Sequence, residues 1–280
     1  MDPAFATHTA IRTTTALTIA GSDSGAGAGV QADLKTFAAH GVYGTSAITA
    51  VTAQNTWGVT ALDAVTPALV AAQIDAVASD IGVHAAKTGM LATVAIVEAV
   101  VAAIARLEIP NLVVDPVMLA TSGNQLLANA AVSVLTASLL PLACVVTPNV
   151  PEAETLAGLS IRTESDRREA ARRISAFGVG AVIITGGHLA TADVSDLLYD
   201  GERFAEFRTP RETGCHTHGT GCAFSAALAA HLALGRSLHD AVPLVQAYVA
   251  GAIRHGVNVG HGDGQPMDHL WRSRVDRPVY

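Results

Sequence analysis

Short apolar runs alternate along the chain with stretches whose apolar residues recur every three or four positions. Residues 16–20 (ALTIA) form a compact β-type run that ends in a glycine-rich stretch, 21–29. Val30, Leu34 and Phe37 then recur at i, i+4 and i+7, which predicts a helix over 30–39. A β-branched run predicts a strand over 46–52, Trp57 and Gly58 mark a turn, and 59–65 reads as a hairpin partner. Pro67 suits the first position of a helix to about residue 79. A strand is expected over 84–87, and Thr93 caps an Ala/Val-rich helix that ends near 107. Residues 111–114 are a continuous apolar strand ending at Asp115.

The second half keeps the rhythm. A helix is expected over 129–140, and a buried strand over 144–147 is closed by Pro148 and Asn149. Helices follow over 151–156 and 165–177, then a strand over 181–185 ahead of Gly186 and Gly187. The segments 194–199 and 203–208 straddle Asp200 and Gly201, a hairpin signal. A polar Gly/His/Thr loop, 214–221, precedes helices over 222–234 and 238–255, and the tail from Gly256 reads as irregular.

Uninterrupted apolar strands, each followed by a helix, predict an α/β fold: a mostly parallel sheet with helices on both faces. One domain is expected over 16–280, behind a disordered leader over 1–15. In such sheets ligands sit outside the carboxyl ends of the strands. The residues to watch are therefore Asp23, Lys87, Asp115, Asn149 and the turn Gly186–Gly187–His188.

Composition narrows the classes. Half of the residues are hydrophobic and only 15% are charged, far too apolar for a disordered chain. Seventeen basic residues against twenty-four acidic give a net charge of -7, which offers no reason to bind a nucleic-acid backbone. Three scattered cysteines, Cys144, Cys215 and Cys222, contain no CxxC pair and fit a reducing cytoplasm. Between Pro116 and Pro151 there is no Asp, Glu, Lys, Arg or His, but polar residues and Pro141 interrupt the run. It reads as loop, helix and buried strand, and no membrane partner is expected.

Three sets of residues carry candidate chemistry. In 21–29 the glycines let backbone approach a ligand closely. Gly27, Gly29 and Ala32 match the dinucleotide pattern G-x-G-x-x-A, but the next strand lacks the acidic residue that would hold a ribose. Gly219, Thr220 and Gly221 directly precede an apolar helix, where free N–H groups and the helix dipole form an anion site. Cys222 falls in that first turn, where a lowered thiol pKa would make it a proton acceptor. His216 and His218 alone are a weak metal signal. Lys87, Asp115 and Glu152 each closely follow a strand, and a pair such as Asp115 and Glu152 suits Mg²⁺. An anion cradle, carboxylates for magnesium and a small-molecule pocket are what phosphoryl transfer requires.

Several motifs together resemble one family. They are ALTIAGSDSGAGAGVQADLKTF (16–37), ITAVTAQNTWGV (48–59), KTGML (87–91), VVDPVM (113–118), TPNVPEA (147–153), TGGH (185–188) and HGTGC (218–222). The chain is similar to the hydroxymethylpyrimidine/phosphomethylpyrimidine kinases of thiamine biosynthesis, within the ribokinase-like superfamily. That resemblance implies a ribokinase-like fold, ATP and Mg²⁺ as cofactors, a small-molecule substrate and a homodimer. It implies that Asp33 and Gln54 hydrogen-bond the aminopyrimidine ring, with Met90 and Val117 as apolar walls. Gly219, Thr220, Gly221 and Cys222 would form the anion hole, with Cys222 where most ribokinase-like enzymes keep an aspartate base. Asp115, Asn149 and Glu152 would organise magnesium and phosphates, and Thr185, Gly187 and His188 would line the nucleotide side. A thiol suits a kinase that phosphorylates first an alcohol and then its monophosphate, because a fixed carboxylate would repel the second substrate. Two departures stand out: Thr185 where many relatives have Lys, and Ala26 where relatives favour Gly. The alternatives are a pyridoxal kinase of the same superfamily, a nicotinamide-dependent oxidoreductase, and a non-catalytic pyrimidine-binding protein.

Overall fold

A computed structural model describes residues 13–118, 129–187, 192–214 and 216–275. Most of the leader and Cys215 lie outside them. The first strand, β1 (Thr15–Ser22), leads through the glycine loop into α1 (Gly29–Ala39) and back to β2 (Tyr43–Asn55). Next come β3 (Gly58–Ala64), α2 (Pro67–Asp80), β4 (Ala85–Thr88), α3 (Val94–Leu107) and β5 (Leu112–Val114). Then follow α4 (Asn129–Val134), β6 (Val145–Val146), α5 (Val150–Ala157), α6 (Glu164–Ser175) and β7 (Val182–Ile184). The hairpin β8 (Asp193–Tyr199) and β9 (Phe204–Pro210) precedes α7 (Thr220–Ala233), α8 (Leu238–Arg254) and α9 (Trp271–Val275).

One sheet of nine strands runs in the order β3-β2-β1-β4-β5-β6-β7-β8-β9. The six strands from β2 to β7 in that order are parallel, and β3, β8 and β9 join antiparallel at the two edges. This is the mostly parallel, two-faced sheet that the sequence predicts. The chain leaves β1 toward β2 on one side and later resumes at β4 on the other. Right-handed crossovers in opposite directions put α1 and α2 on opposite faces, and a crevice opens where the order reverses.

The two cores follow the two-residue period of the strands. Leu17, Ile19, Leu112, Val114, Val146 and Ile184 face the side covered by α2, α3, α5 and α6. Ala16, Val113, Val145 and Ile183 face the other, under α1, α7 and α8. The helix expected over 129–140 is broken: α4 gives way to a wide π turn at Leu135–Leu139 and a tight turn at Leu140–Leu142. Pro141 has no N–H to continue an α ladder, which explains the break. The irregular tail holds one short helix, α9, docked by the Trp271 indole N–H on the Tyr248 carbonyl at 3.2 Å. Among the described residues no helix is long and apolar enough to cross a membrane.

Candidate active site

A cavity of about 760 Å³ opens at the carboxyl ends of the parallel strands. Nearly every strand in the parallel part delivers a residue to it. The β1 loop contributes Asp23 and Gly29, the end of β2 Gln54, and the β4 end Lys87 and Met90. After β5 come Asp115 and Val117, and at the start of α5 Asn149 and Glu152. Thr185 and Gly187 line one flank, and Gly219, Thr220, Gly221 and Cys222 line the floor. His188, expected beside them, lies outside the described residues.

The glycine loop is built around one carboxylate. Asp23 accepts from the N–H of Gly25 at 2.8 Å on Oδ1, and from Gly27 at 3.0 Å and Ala28 at 2.8 Å on Oδ2. The same Oδ2 lies 3.1 Å from His218 Nε2. Burial alone would raise the Asp23 pKa, but the His218 and backbone donors outweigh it and hold it below the usual carboxylate value. Gln31 ties the loop from α1, accepting the Asp23 N–H at 2.9 Å.

Asp33 departs from its expected place. It is fully buried and does not line the cavity. Both its oxygens lie 2.9 Å from Lys87 Nζ, and the Thr18 hydroxyl donates to one at 2.6 Å. The reason is electrostatic: a wholly buried ammonium needs a carboxylate, and α1 turns Asp33 onto β4. Burial would lower the Lys87 pKa, yet the charge and hydrogen bond of Asp33, with the nearby Asp115, outweigh it and raise it. Lys87 also lies 3.9 Å from Asp115, whose carboxylate accepts from the Ser225 hydroxyl at 2.9 Å.

Asn149 and Glu152 close a capping box at the start of α5, the Asn149 side chain accepting from the Glu152 N–H and Glu152 accepting from the Asn149 N–H. Burial and the nearby Asp115 raise the Glu152 pKa to about 8. Two adjacent buried carboxylates that resist ionising together are a donor set that a hard divalent cation would relieve, so these residues fit Mg²⁺. Among the described residues no group of three or more His, Cys, Asp or Glu could hold a metal by itself. A cation there would need phosphate and water oxygens, which is how magnesium binds nucleotides.

Gly219 is the N-cap of α7, with φ 86° and no side-chain hydrogen bond capping the helix. Of the N–H groups there, that of Thr220 donates to the Thr217 carbonyl at 3.3 Å, while those of Gly221 and Cys222 have neither an intrahelical nor a side-chain acceptor. Gly219 packs so closely on the Gly27 carbonyl that a Cβ could not fit. Cys222 corrects an expectation. Its place in the first turn suggests a lowered thiol pKa, but burial pushes it up to about 12, against the Lys87 charge and a hydrogen bond from the Gly29 N–H. At neutral pH it is a thiol, able to donate a hydrogen bond and poor as a base.

On the flank, Thr185 continues the sheet through a bridge to Asn149. The Gly186 N–H donates to buried Asp196 at 2.8 Å, and Gln246 holds the other Asp196 oxygen at 2.8 Å. The cavity also takes in Asp196, Gln246 and Arg211, which sequence reasoning missed. Thr18 and Ser225 were missed too. Their only signal is a hydroxyl inside an otherwise apolar strand or helix.

Comparison with known proteins agrees with this geometry. A family model described as phosphomethylpyrimidine kinase matches residues 23–267. The hydroxymethylpyrimidine/phosphomethylpyrimidine kinase of Synechococcus elongatus is 50% identical over 258 residues, covering 91% of this chain and 97% of that protein. The thiamine biosynthesis bifunctional protein ThiED of Geobacter sulfurreducens is 49% identical over 254 residues, and this chain spans about half of its length, 52%. The ADP complex of Bacillus subtilis pyridoxal kinase superposes with a TM-score of 0.87 at 38% identity, over 93% of this chain and 99% of that one. Sheet order, open helix start and sequence matches thus converge, and the chain belongs to the phosphomethylpyrimidine kinase family.

Proposed function

We propose that this protein transfers the γ-phosphoryl group of ATP to 4-amino-5-hydroxymethyl-2-methylpyrimidine and then to its monophosphate, in thiamine biosynthesis. The observation that carries this reading is the uncapped start of α7, which opens into the same cavity as Gln54 and the Asp115–Glu152 pair. In phosphoryl transfer the protein mainly positions groups and neutralises charge. Gly219, Gly221 and Cys222 would offer N–H donors to the transferring group, the Thr220 N–H being held by the Thr217 carbonyl, and the Gln54 amide would meet the pyrimidine ring between Met90 and Val117. Asp115 and Glu152, with Asn149 ordering Glu152, would hold a Mg²⁺ ion, which when bound supplies charge neutralisation to phosphate oxygens. Thr185, Gly187 and His188 are assigned to the nucleotide side.

A neutral Cys222 thiol refines the two-step argument. It presents no charge to repel the monophosphate, and it leaves the alcohol proton without a strong base. The second step, whose nucleophile is already a phosphate oxygen, needs none. A Cys222→Asp variant should therefore favour the alcohol over the monophosphate, and equal activity on both would count against this role.

The deciding assay is ADP release with MgATP and the alcohol, its monophosphate, or pyridoxal. Turnover of both pyrimidines is expected; turnover of neither would sink the reading. The pyridoxal arm has its own motive, the likeness to the Bacillus subtilis pyridoxal kinase complex. The reading includes a homodimer acting in the cytoplasm, for which sedimentation equilibrium should return twice the chain mass.

A further inference from the structure

One imidazole stands between the two ends of the cavity, and the kinase reading gives it no task. His218 Nε2 lies 3.1 Å from Asp23 Oδ2 and 3.4 Å from Gln54 Nε2. A ring nitrogen carries either a proton or a lone pair, so it cannot serve a carboxylate and an amide NH₂ in the same state. Asp23 is acceptor-only and is already fixed by three backbone N–H groups. The proton therefore belongs on Nε2, facing Asp23. Gln54 is anchored through its backbone, whose N–H and carbonyl both bond the Ser24 hydroxyl at 2.7 Å. With Nε2 occupied, the Gln54 NH₂ is left to a ligand in the cavity.

The backbone of His218 is fixed just as firmly. Its N–H donates to the Gln265 carbonyl at 3.2 Å, and it forms a bridge with Pro266. The next residue is Gly219, the first residue of the open helix start, seated on Gly27. The side chain thus answers to the substrate end and the backbone to the phosphoryl end.

We infer that His218 is a positioning residue that couples Gln54 to the anion-binding start of α7 by bonding Asp23 and leaving the Gln54 amide free for substrate. The inference rests on the kinase reading. It assigns His218 neither proton transfer nor metal binding.

The test compares His218→Gln, His218→Asn and His218→Leu with wild type. The Gln amide reaches the position of Nε2, whereas the Asn amide reaches only that of Nδ1. His218→Leu and His218→Asn should raise the pyrimidine KM and lower kcat, each by about tenfold, with the ATP KM unchanged. His218→Gln should recover most of both. Adding Gln54→Ala to His218→Leu should cost less than Gln54→Ala costs alone. Unchanged kinetics in His218→Leu would overturn the inference, as would a loss that Gln does not recover or a matching rise in the ATP KM. If His218→Leu does not fold, the contrast of Asn with Gln carries the same decision. An inactive wild type would instead refute the kinase reading, so the two failures are distinct.

Discussion

Two glycine-rich loops precede two helices in this chain, and they put their backbone N–H groups to opposite uses. Both α1 and α7 start without a side-chain cap. Before α1, however, Asp23 folds inward and accepts three N–H groups of its own loop, and the Gly29 N–H goes to Cys222. Before α7 no carboxylate plays that part. One helix start carries its own anion; the other spends the Thr220 N–H on the Thr217 carbonyl but keeps those of Gly221 and Cys222 for a foreign one. Glycine content does not distinguish them. What matters is whether a carboxylate is near enough to consume the N–H groups before a phosphate can.

The largest effect should come from closing the open loop. Gly219→Ala adds a Cβ against the Gly27 carbonyl at a φ of 86°. It should lower kcat on the order of 100-fold and destabilise the fold by about 3 kcal/mol, read by ADP release and by urea unfolding. Asp23→Ala attacks the other side of the comparison. It strands three backbone donors and the His218 imidazole, at a cost of about 2–3 kcal/mol in urea unfolding. A loss as small as that of an ordinary surface substitution would mean that the loop holds itself without the carboxylate.

Acid should separate the two regions next. Asp23 is held below the usual carboxylate value, so its contribution is present above that value and is lost only as pH falls through the depressed pKa. At the far end of α7 the sign is the same, but the pH window lies higher. Burial, then His40, Arg236 and Arg272, lower the His231 pKa to about 4, and neither of its ring nitrogens has a partner. The unfolded chain takes up that proton near pH 6.5 while the native state refuses it. Stability should fall as pH drops from about 6.5 toward 4, with the first loop still intact. His231→Phe should flatten part of this slope in Tm against pH. The remainder belongs to His269, lowered likewise to about 4, and to His40, whose pKa burial also lowers. The smallest effect sharpens the comparison within the first loop: Ala26 sits at φ 59°, where an L side chain is strained. Ala26→Gly should stabilise by about 1 kcal/mol and leave kcat unchanged.

The order of elements was legible because strands and helices impose different apolar periods. Strands buried on both faces stay visible as short runs such as LVV at Leu112–Val114. Ends were less legible: β2 extends to Tyr43–Asn55, beyond the β-branched segment, because its pairing with β1 and β3 holds residues of weak β preference. The site was legible as a set of polar residues after strands, and Gln54, Met90, Asp115, Val117, Asn149, Glu152 and the 219–222 loop all reach one cavity. Asp33 misled because a motif match says nothing of which way a helix turns its face.

By itself the sequence determined a two-faced, mostly parallel sheet, the edge that bears the chemistry and the family. These follow from local periodicity and from motifs that are contiguous along the chain. Tertiary structure decided the state of each ionisable group. Lys87 is buried against Asp33 fifty-four residues away, Asp23 meets His218 across 195 residues, and Cys222 is surrounded so that its thiol stays protonated. Desolvation and Coulomb interactions depend on neighbours in space, and those neighbours are brought together only when the chain has folded.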